Sequence, residues 1–208
     1  MISSLQHSNV VRLSGCCAEG DQLLLVYEYM ENNNLALALF GIEEVQLMLD
    51  WPMRLRICIS IAKGLAFLHD ACPLRIVYRD IKATNVLLEK DLSPKISDFG
   101  LARLDEEENT HISTRVAGTI GYMAPEYALW GYLTYKADVY SFEVVALEIF
   151  ARKNNMKHQA NKNFTCLLDW VRTISTNFFV VSQVEHNILF EYSNCLHSKF
   201  KDDIIFHH

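Results

Sequence analysis

The hydrophobic and polar positions of this chain follow the period of β-strands first and the period of helices later. Two β-rich runs, residues 9–17 and 22–30, are separated by the turn-forming stretch AEGD, which predicts an antiparallel pair. From residue 50 onward, Asp50 offers an N-cap, Pro52 lies in the first turn, and apolar residues recur at helical spacing. These apolar residues cover a wide arc, so we expect this helix to be largely buried.

The pattern predicts further elements along the chain. Asn-rich loop chemistry leads into a short helix at residues 35–40, and a mostly apolar helix follows at 136–150. Short β-like runs flank residues 78–85 and cover residues 94–100. Because strands come first and helices dominate afterwards, the sequence predicts an α+β fold with a helical bulk.

Composition narrows the class of protein. The chain has 208 residues, 50% of them hydrophobic and 21% charged, and a formal net charge of −6, which gives no footprint for nucleic-acid binding. No apolar run reaches the ~20 residues that span a bilayer, and no signal peptide is evident, so we expect a soluble, cytoplasmic chain without direct membrane insertion. The six cysteines form no CxxC pair and the histidines no HExxH motif, which argues against a zinc site.

A polar cluster is set between two apolar runs in the stretch IVYRDIKATNVLL, residues 76–88. It is followed in order by SDFG at 97–100 and APE at 124–126. Together these three segments resemble the catalytic loop, the metal-binding motif and the end of the activation segment of protein kinases. The finer text, including LLLVYEYMENNNL, KISDFGLARL and GTIGYMAPEYA, is similar to plant receptor-like serine/threonine kinases of the leucine-rich-repeat type.

This resemblance implies a protein-kinase-like α+β fold with a truncated N-lobe and a mainly α-helical, incomplete C-lobe. The N-lobe remnant, with two strands and the end of the helix called αC, and the hinge would occupy residues 1–30, and the C-lobe residues 31–170. Residues 171–208 depart from the family and would form a divergent tail. No GxGxxG loop and no VAIK-like strand precede the hinge, so we expect a partial kinase domain that is inactive alone.

The resemblance also implies ATP and Mg²⁺ as cofactors and a protein substrate with a Ser or Thr acceptor. Asp80 would orient the proton of the acceptor hydroxyl, and Lys82, which also favours Ser or Thr as acceptor, would steady the γ-phosphate. Asn85 and Asp98 would hold Mg²⁺ through hard oxygen ligands. Phosphoryl transfer needs mainly positioning and charge neutralisation, which these residue types supply.

Other roles implied by the resemblance concern the ATP cleft. The implied residues are Tyr27 as gatekeeper, Glu28 and Met30 in a hinge whose backbone bonds adenine, and Leu87 beneath the adenine. An apolar column would link the two lobes through Ile2, Leu13, Tyr78 and Phe99, anchored by Asp138. Tyr78 replaces the more common His, and we expect its ring to pack against Phe99.

The segment from Asp98 to Glu126 would be the activation segment. Arg79 would pair with a phosphorylated residue of this segment, for which Thr110, Ser113 and Thr114 are candidates. Thr119 would face the substrate. No convincing Arg partner for Glu126 occurs in the sequence, and Glu143, where the family has Gly, would be costly if it were buried and unpaired.

A second hypothesis is a pseudokinase-like scaffold that binds full-length receptor-like kinases without catalysing phosphotransfer. The missing Gly-rich loop favours the scaffold, whereas the intact Asp80, Asn85 and Asp98 favour the enzyme. Family members sit at the plasma membrane with the kinase domain in the cytoplasm.

Overall fold

The computed structural model describes residues 5–20, 22–72, 75–104, 112–113, 115–155 and 167. Within these residues the α-helices are α1 (Leu35–Phe40), α2 (Trp51–Ala66), α3 (Pro125–Trp130) and α4 (Tyr135–Ala151). The strands are β1 (Leu13–Glu19), β2 (Gln22–Tyr27), β3 (Ile76–Val77), β4 (Val86–Leu88), β5 (Pro94–Ile96), β6 (Arg103–Leu104), β7 (Ile112–Ser113) and β8 (Tyr132–Leu133). The predicted α+β class is confirmed.

The predicted antiparallel pair near the start of the chain is present as the β1–β2 ribbon, which pairs Leu13 with Tyr27 and Glu19 with Gln22. Almost all its side chains are exposed, including the apolar run at residues 23–26. The other strands pair in short antiparallel ladders, β3 with β6, β4 with β5 and β7 with β8. The ribbon therefore contributes little to the core.

Side-chain caps begin the first two helices where the sequence places them. The side-chain Oδ1 of Asn34 accepts the Leu37 amide at 2.9 Å at the start of α1, and the Asp50 carboxylate accepts the Met53 amide at 2.9 Å at the start of α2. Both predicted helix starts are confirmed. After Ala66 the α2 backbone widens into one π-helical turn, Phe67–Ala71. Within the described residues, none of the helices has the length and hydropathy to cross a bilayer.

The core forms where α2 packs against α4 and against the β4–β5 ladder. Its fully buried side chains include Ile57, Ile61, Leu65, Val86, Ile96 and Val145. The extended segment before β1 joins this ladder, because the Val11 amide donates to the Ile96 carbonyl and the Ile96 amide to the Asn9 carbonyl, each at 2.9 Å. Gly64 makes room for that segment, since a Cβ there would lie 2.8 Å from the Asn9 carbonyl oxygen. Residues 78–85, which carry the polar cluster, thus lie between the buried strand β3 and the largely buried strand β4.

The helix α4 is apolar on most of its surface and runs through the C-terminal part of the described fold. The Glu143 side chain is exposed, so its charge is not buried and the predicted penalty does not arise. Asp138 and Glu148, in contrast, are fully buried. Both of these carboxyl groups bind segments that carry the candidate site.

Candidate active site

Asp138 of α4 binds the backbone at the start of residues 78–85, which we name the polar loop. Its carboxylate accepts the Tyr78 amide and the Arg79 amide, each at 2.7 Å, and contacts the His69 imidazole at 2.9 Å. Arg79 has a positive φ of 75°, a backbone conformation that costs energy for a residue with a side chain. The predicted anchoring role of Asp138 is confirmed by these contacts.

Four polar side chains of the candidate site are joined to one another by hydrogen bonds. The Lys82 ammonium group lies 2.7 Å from Asp80 Oδ2, and the Asn85 amide nitrogen lies 3.0 Å from the same oxygen. The Thr119 hydroxyl donates to Asp80 Oδ1 at 2.6 Å and accepts from Lys82 Nζ at 3.0 Å. The structure therefore brings together a carboxylate, an ammonium, an amide and a hydroxyl group from two distant segments.

Asp98 is connected to this cluster through its neighbour in the chain. The Ser97 amide and hydroxyl both donate to the Asn85 carbonyl at 2.9 Å. Asp98 itself adopts a left-handed conformation with φ of 58°, and its exposed carboxylate accepts the Gly100 amide at 3.3 Å. The backbone at Ser97 is thus bonded to Asn85, while the carboxylate of Asp98 faces solvent.

Tyr78 and Phe99 pack edge to face, with ring centroids 5.3 Å apart and planes at 87°. The Tyr78 hydroxyl donates a short hydrogen bond to the Ser97 carbonyl. Burial, followed by the nearby charges of Asp98 and Asp80, raises the pKa of Tyr78, so the hydroxyl remains a donor. The predicted contact of the two rings is confirmed; of the other column members, Leu13 is half-buried and Ile2 lies outside the described residues.

The residues predicted for the nucleotide lie at the end of β2 and on β4. The Tyr27 side chain is half-buried at the end of β2, and burial, followed by the Asp98 charge, raises the pKa of its hydroxyl. The Glu28 carboxylate pairs with the Lys95 ammonium group at 2.8 Å. The backbone N–H of Glu28 donates to the Arg12 carbonyl at 3.1 Å. Only the Glu28 carbonyl therefore remains for a ligand contact of the kind predicted.

Two apolar side chains complete the predicted nucleotide side. Met30 is buried, and no hydrogen bond to its backbone groups occurs among the described residues. Leu87 is half-buried at the middle of β4. Their roles toward adenine stay predictions.

Arg79 is 6% exposed, and among the described residues its guanidinium donates hydrogen bonds only to uncharged oxygens. Its Nε donates to the Tyr127 hydroxyl at 3.1 Å, Nη1 to the Leu101 carbonyl at 3.3 Å and Nη2 to the Arg115 carbonyl at 2.9 Å. The Tyr127 hydroxyl also binds both backbone polar groups of Ala117, each at 3.0 Å. This network ties the polar loop to the segment before α3.

The phosphorylation candidates cannot be placed against Arg79. Thr110 and Thr114 lie outside the described residues, and Ser113 is described only as backbone of β7. The pairing of Arg79 with a phosphorylated residue stays a prediction. Glu126 is half-buried in the first turn of α3, and no ion pair to it occurs in the described part of the chain.

Sequence reasoning missed three residues that hold the site together: Tyr127, Tyr122 and Glu148. Tyr122 and Tyr127 flank the APE motif, so their position in the sequence was a usable signal. Glu148 gave none, because a single acidic residue in an apolar helix is not distinguished by sequence from a solvent-facing one. Only the packing of α4 reveals its partners.

Comparison with known families identifies the class of protein. The family model described as protein tyrosine and serine/threonine kinase matches residues 1–192. This match covers most of the chain, and it includes all the motifs described above. The chain therefore belongs to the protein kinase family.

The similar proteins include plant receptor-like kinases. A probable leucine-rich repeat receptor-like serine/threonine-protein kinase from Arabidopsis thaliana is 62% identical over 193 residues, which are 93% of this chain and 19% of that protein. A second protein so described, from the same plant, is 60% identical over 93% of this chain and 20% of its own length. A third is 66% identical over 81% of this chain and 17% of its own length. The chain thus spans about a fifth of the length of these curated relatives, and the predicted resemblance is confirmed.

Proposed function

We propose that this chain carries the phosphotransfer site of a receptor-like serine/threonine protein kinase, which moves the γ-phosphate of ATP to a protein Ser or Thr hydroxyl. The observation that carries the proposal is the contact of the Thr119 hydroxyl with Asp80 at 2.6 Å, beside Lys82. A hydroxyl group is already held here within reach of a carboxylate base and an ammonium group. An acceptor hydroxyl of a substrate would need the same two partners.

The donor set fits Mg²⁺ bound together with a nucleotide. The described residues contain no cluster of three or more His, Cys, Asp or Glu that could cage a metal, and Mg²⁺ commonly binds through one or two protein ligands plus phosphate oxygens. Asn85 and the exposed carboxylate of Asp98 would hold the ion. When bound, Mg²⁺ would neutralise phosphate charge during transfer.

The domain division and the cellular setting of this site are part of the proposal. We assign residues 1–30 to the N-lobe and hinge, 31–170 to the C-lobe and 171–208 to a divergent tail. The relatives are named receptor-like kinases, so the domain would act at the cytoplasmic face of the plasma membrane as part of a longer receptor. Its protein substrate would offer Ser or Thr, and Arg79 would form an ion pair with a phosphorylated residue of the activation segment.

Mg·ATP binding tests the proposal directly. The chain is heated with and without Mg·ATP, and Asp98→Asn serves as the site variant while Glu44→Gln, at an exposed position, serves as the matched control. At about 100-fold excess over Kd, binding should raise Tm by roughly 5 to 10 °C in the parent and the control. The rise should require Mg²⁺ and should disappear in Asp98→Asn.

Transfer to a Ser- or Thr-containing peptide is the second measurement. We expect little or no transfer from this chain alone, since no Gly-rich loop precedes the hinge, and any transfer that is measured should be lost in Asp80→Asn because the carboxylate that orients the hydroxyl is lost. A cooperative melt that does not respond to Mg·ATP would contradict the proposal. That outcome would favour the scaffold hypothesis instead.

A further inference from the structure

Exposed apolar side chains cluster on the loop between α1 and α2, residues 41–50, and on the first residue of α2. We name this cluster the apolar patch, and its members are Ile42, Val45, Met48 and Trp51. Met48 is 88% exposed and Ile42 is 69% exposed, so water covers most of both side chains. Clustered apolar residues with a polar rim mark interaction sites, and Met and Trp are enriched in protein interfaces. The patch is therefore a candidate interaction surface.

Hydrogen bonds within the loop fix the conformation that carries the patch. The Ile42 carbonyl accepts the Val45 amide at 2.9 Å and the Gln46 amide at 3.1 Å, which makes one helical turn. Residues three apart on such a turn are neighbours, so Ile42 and Val45 lie side by side. The Leu47 amide then donates to the Ala38 carbonyl of α1 at 2.9 Å. A loop ordered in advance loses less conformational entropy when it binds a partner.

Arg152, which follows the last residue of α4, joins this loop to the core. Its Nη2 donates to the Gln46 Oε1 at 3.2 Å and to the Leu47 carbonyl at 3.1 Å. The backbone of Arg152 is left-handed, with φ of 53°, a position at the end of a helix that Gly usually occupies. The chain thus retains a strained Arg at this position, and its side chain orders the loop.

The same end of α4 lies next to the other half of the patch. The Met48 sulfur lies 3.7 Å from Nη1 of Arg152. The Trp51 ring packs on the Phe150 ring, with centroids 4.9 Å apart. Because Phe150 and Arg152 are two residues apart, Met48 and Trp51 belong to one continuous surface.

The charge around the patch is acidic. Between Arg12 and Arg54 the sequence contains seven Asp or Glu residues and neither Lys nor Arg. Glu43 and Glu44 lie on the loop itself and are exposed, and neither forms an ion pair within the described part of the chain. Arg54 and Arg152, which bond to the loop, are half-buried and donate to its backbone carbonyls.

This charge decides which partner the patch fits. Nucleic acid and an anionic membrane surface would both be repelled by the carboxylates. A second copy seated on the same patch by two-fold symmetry would set Glu43 and Glu44 of the two copies near each other, which like-charge repulsion disfavours. A segment with basic residues beside apolar ones complements both the charge and the apolar surface.

We propose that the apolar patch, ordered by Arg152, is a docking surface for a basic amphipathic segment of a partner protein. Apolar side chains of that segment pack on Met48 and its neighbours, and its Lys or Arg residues pair with Glu43 and Glu44. Docking of this kind needs neither Mg·ATP nor phosphotransfer, so the inference does not depend on the proposed function.

Fluorescence anisotropy of a labelled peptide tests the proposal on the full chain. The probe is a synthetic helical peptide of about 14 residues, with Leu on one face and Lys on the other, and a second peptide carries Glu in place of Lys. The parent should bind the Lys peptide and not the Glu peptide. Met48→Ser should weaken binding about tenfold, whereas Leu129→Ser, a 70% exposed apolar position on α3, is the matched control and should leave Kd unchanged.

Charge and loop order are tested by two further variants. Replacing Glu43 and Glu44 together by Gln should weaken binding severalfold and make it less sensitive to salt, whereas Glu19→Gln, at an exposed position of β1, should change Kd little. Arg152→Gly suits the left-handed backbone but removes the bonds to the loop, so it should weaken binding severalfold without lowering Tm. Unchanged affinity in Arg152→Gly would contradict its role in ordering the loop.

Several results would overturn the proposal. No binding of the Lys peptide at low salt would show that the patch docks no basic segment. Equal affinity of the parent and Met48→Ser for this peptide would mean that only general electrostatic attraction is measured. Equal binding of the Glu peptide would show that charge is not recognised. If Met48→Ser does not fold, Ile42→Ser, at a 69% exposed position, gives the same comparison.

Analytical ultracentrifugation tests the competing occupant, a second copy of the chain. We expect no dimer that depends on the patch. A concentration-dependent dimer that Met48→Ser abolishes would overturn the proposal in favour of self-association through this surface.

Discussion

The Arg79–Tyr127 contact gives a sharp test of how the site is built. Tyr127→Phe removes one hydroxyl group and keeps the ring, which lies 5.6 Å from the Arg79 guanidinium carbon. The cation–π contact should therefore survive. The lost hydroxyl oxygen accepts from Arg79 and from the Ala117 amide, and the lost hydrogen is donated to the Ala117 carbonyl.

The size of the effect follows from burial. Tyr127 is 2% exposed and Arg79 is 6% exposed, so water has little access to the orphaned groups. A typical hydrogen bond contributes about 1 kcal/mol net, and an unsatisfied buried donor costs about 1–3 kcal/mol, more when it is charged. We therefore expect Tyr127→Phe to lower the free energy of unfolding by about 2–4 kcal/mol.

Urea denaturation followed by tryptophan fluorescence measures this loss, since the chain has three tryptophans. The m-value should stay constant, so that the change in midpoint reports stability. Tyr29→Phe, at a position that is 82% exposed, is the control and should change the free energy by less than about 0.5 kcal/mol. A loss in Tyr127→Phe no larger than in this control would refute the reasoning, because the hydroxyl would then not be needed to satisfy Arg79.

Three further predictions concern α4 and the segment that precedes α3. Asp138→Ala leaves the Tyr78 and Arg79 amides without an acceptor and should destabilise the fold by about 3–5 kcal/mol, seen as a lower urea midpoint; a shift within error would show that the anchor is dispensable. Because the pKa of Glu148 is raised to about 7 in the folded chain from 4.5, its contribution is fully present below pH 4.5 and is lost as pH rises through 7, a fall of about 3 kcal/mol. Glu148→Gln should remove this fall from the pH dependence of unfolding, and an unchanged curve would contradict the assignment. Gly118→Ala should lower Tm because φ is +139° and a Cβ would lie 2.8 Å from the Arg79 carbonyl; an unchanged Tm would mean that the two segments separate readily.

Local chemistry accounts for what the sequence predicted well. The starts of α1 and α2 follow from Asn34 and Asp50, whose side chains cap amides only three residues away. The β1–β2 ribbon follows from a turn between adjacent runs. The order of the three motifs was enough for the protein kinase class, which the family match confirms.

Tertiary structure decided the contacts that join residues far apart in the chain. Asp138 reaches back about sixty residues to the loop at Tyr78 and Arg79, and Thr119 reaches back 39 residues to Asp80. The exposure of Glu143 and the burial of Glu148, five residues apart on one apolar helix, could not be told apart from the sequence because both faces of α4 are largely apolar. Which face of such a helix meets the core depends on the segments packed against it, and those segments come together only in the folded chain.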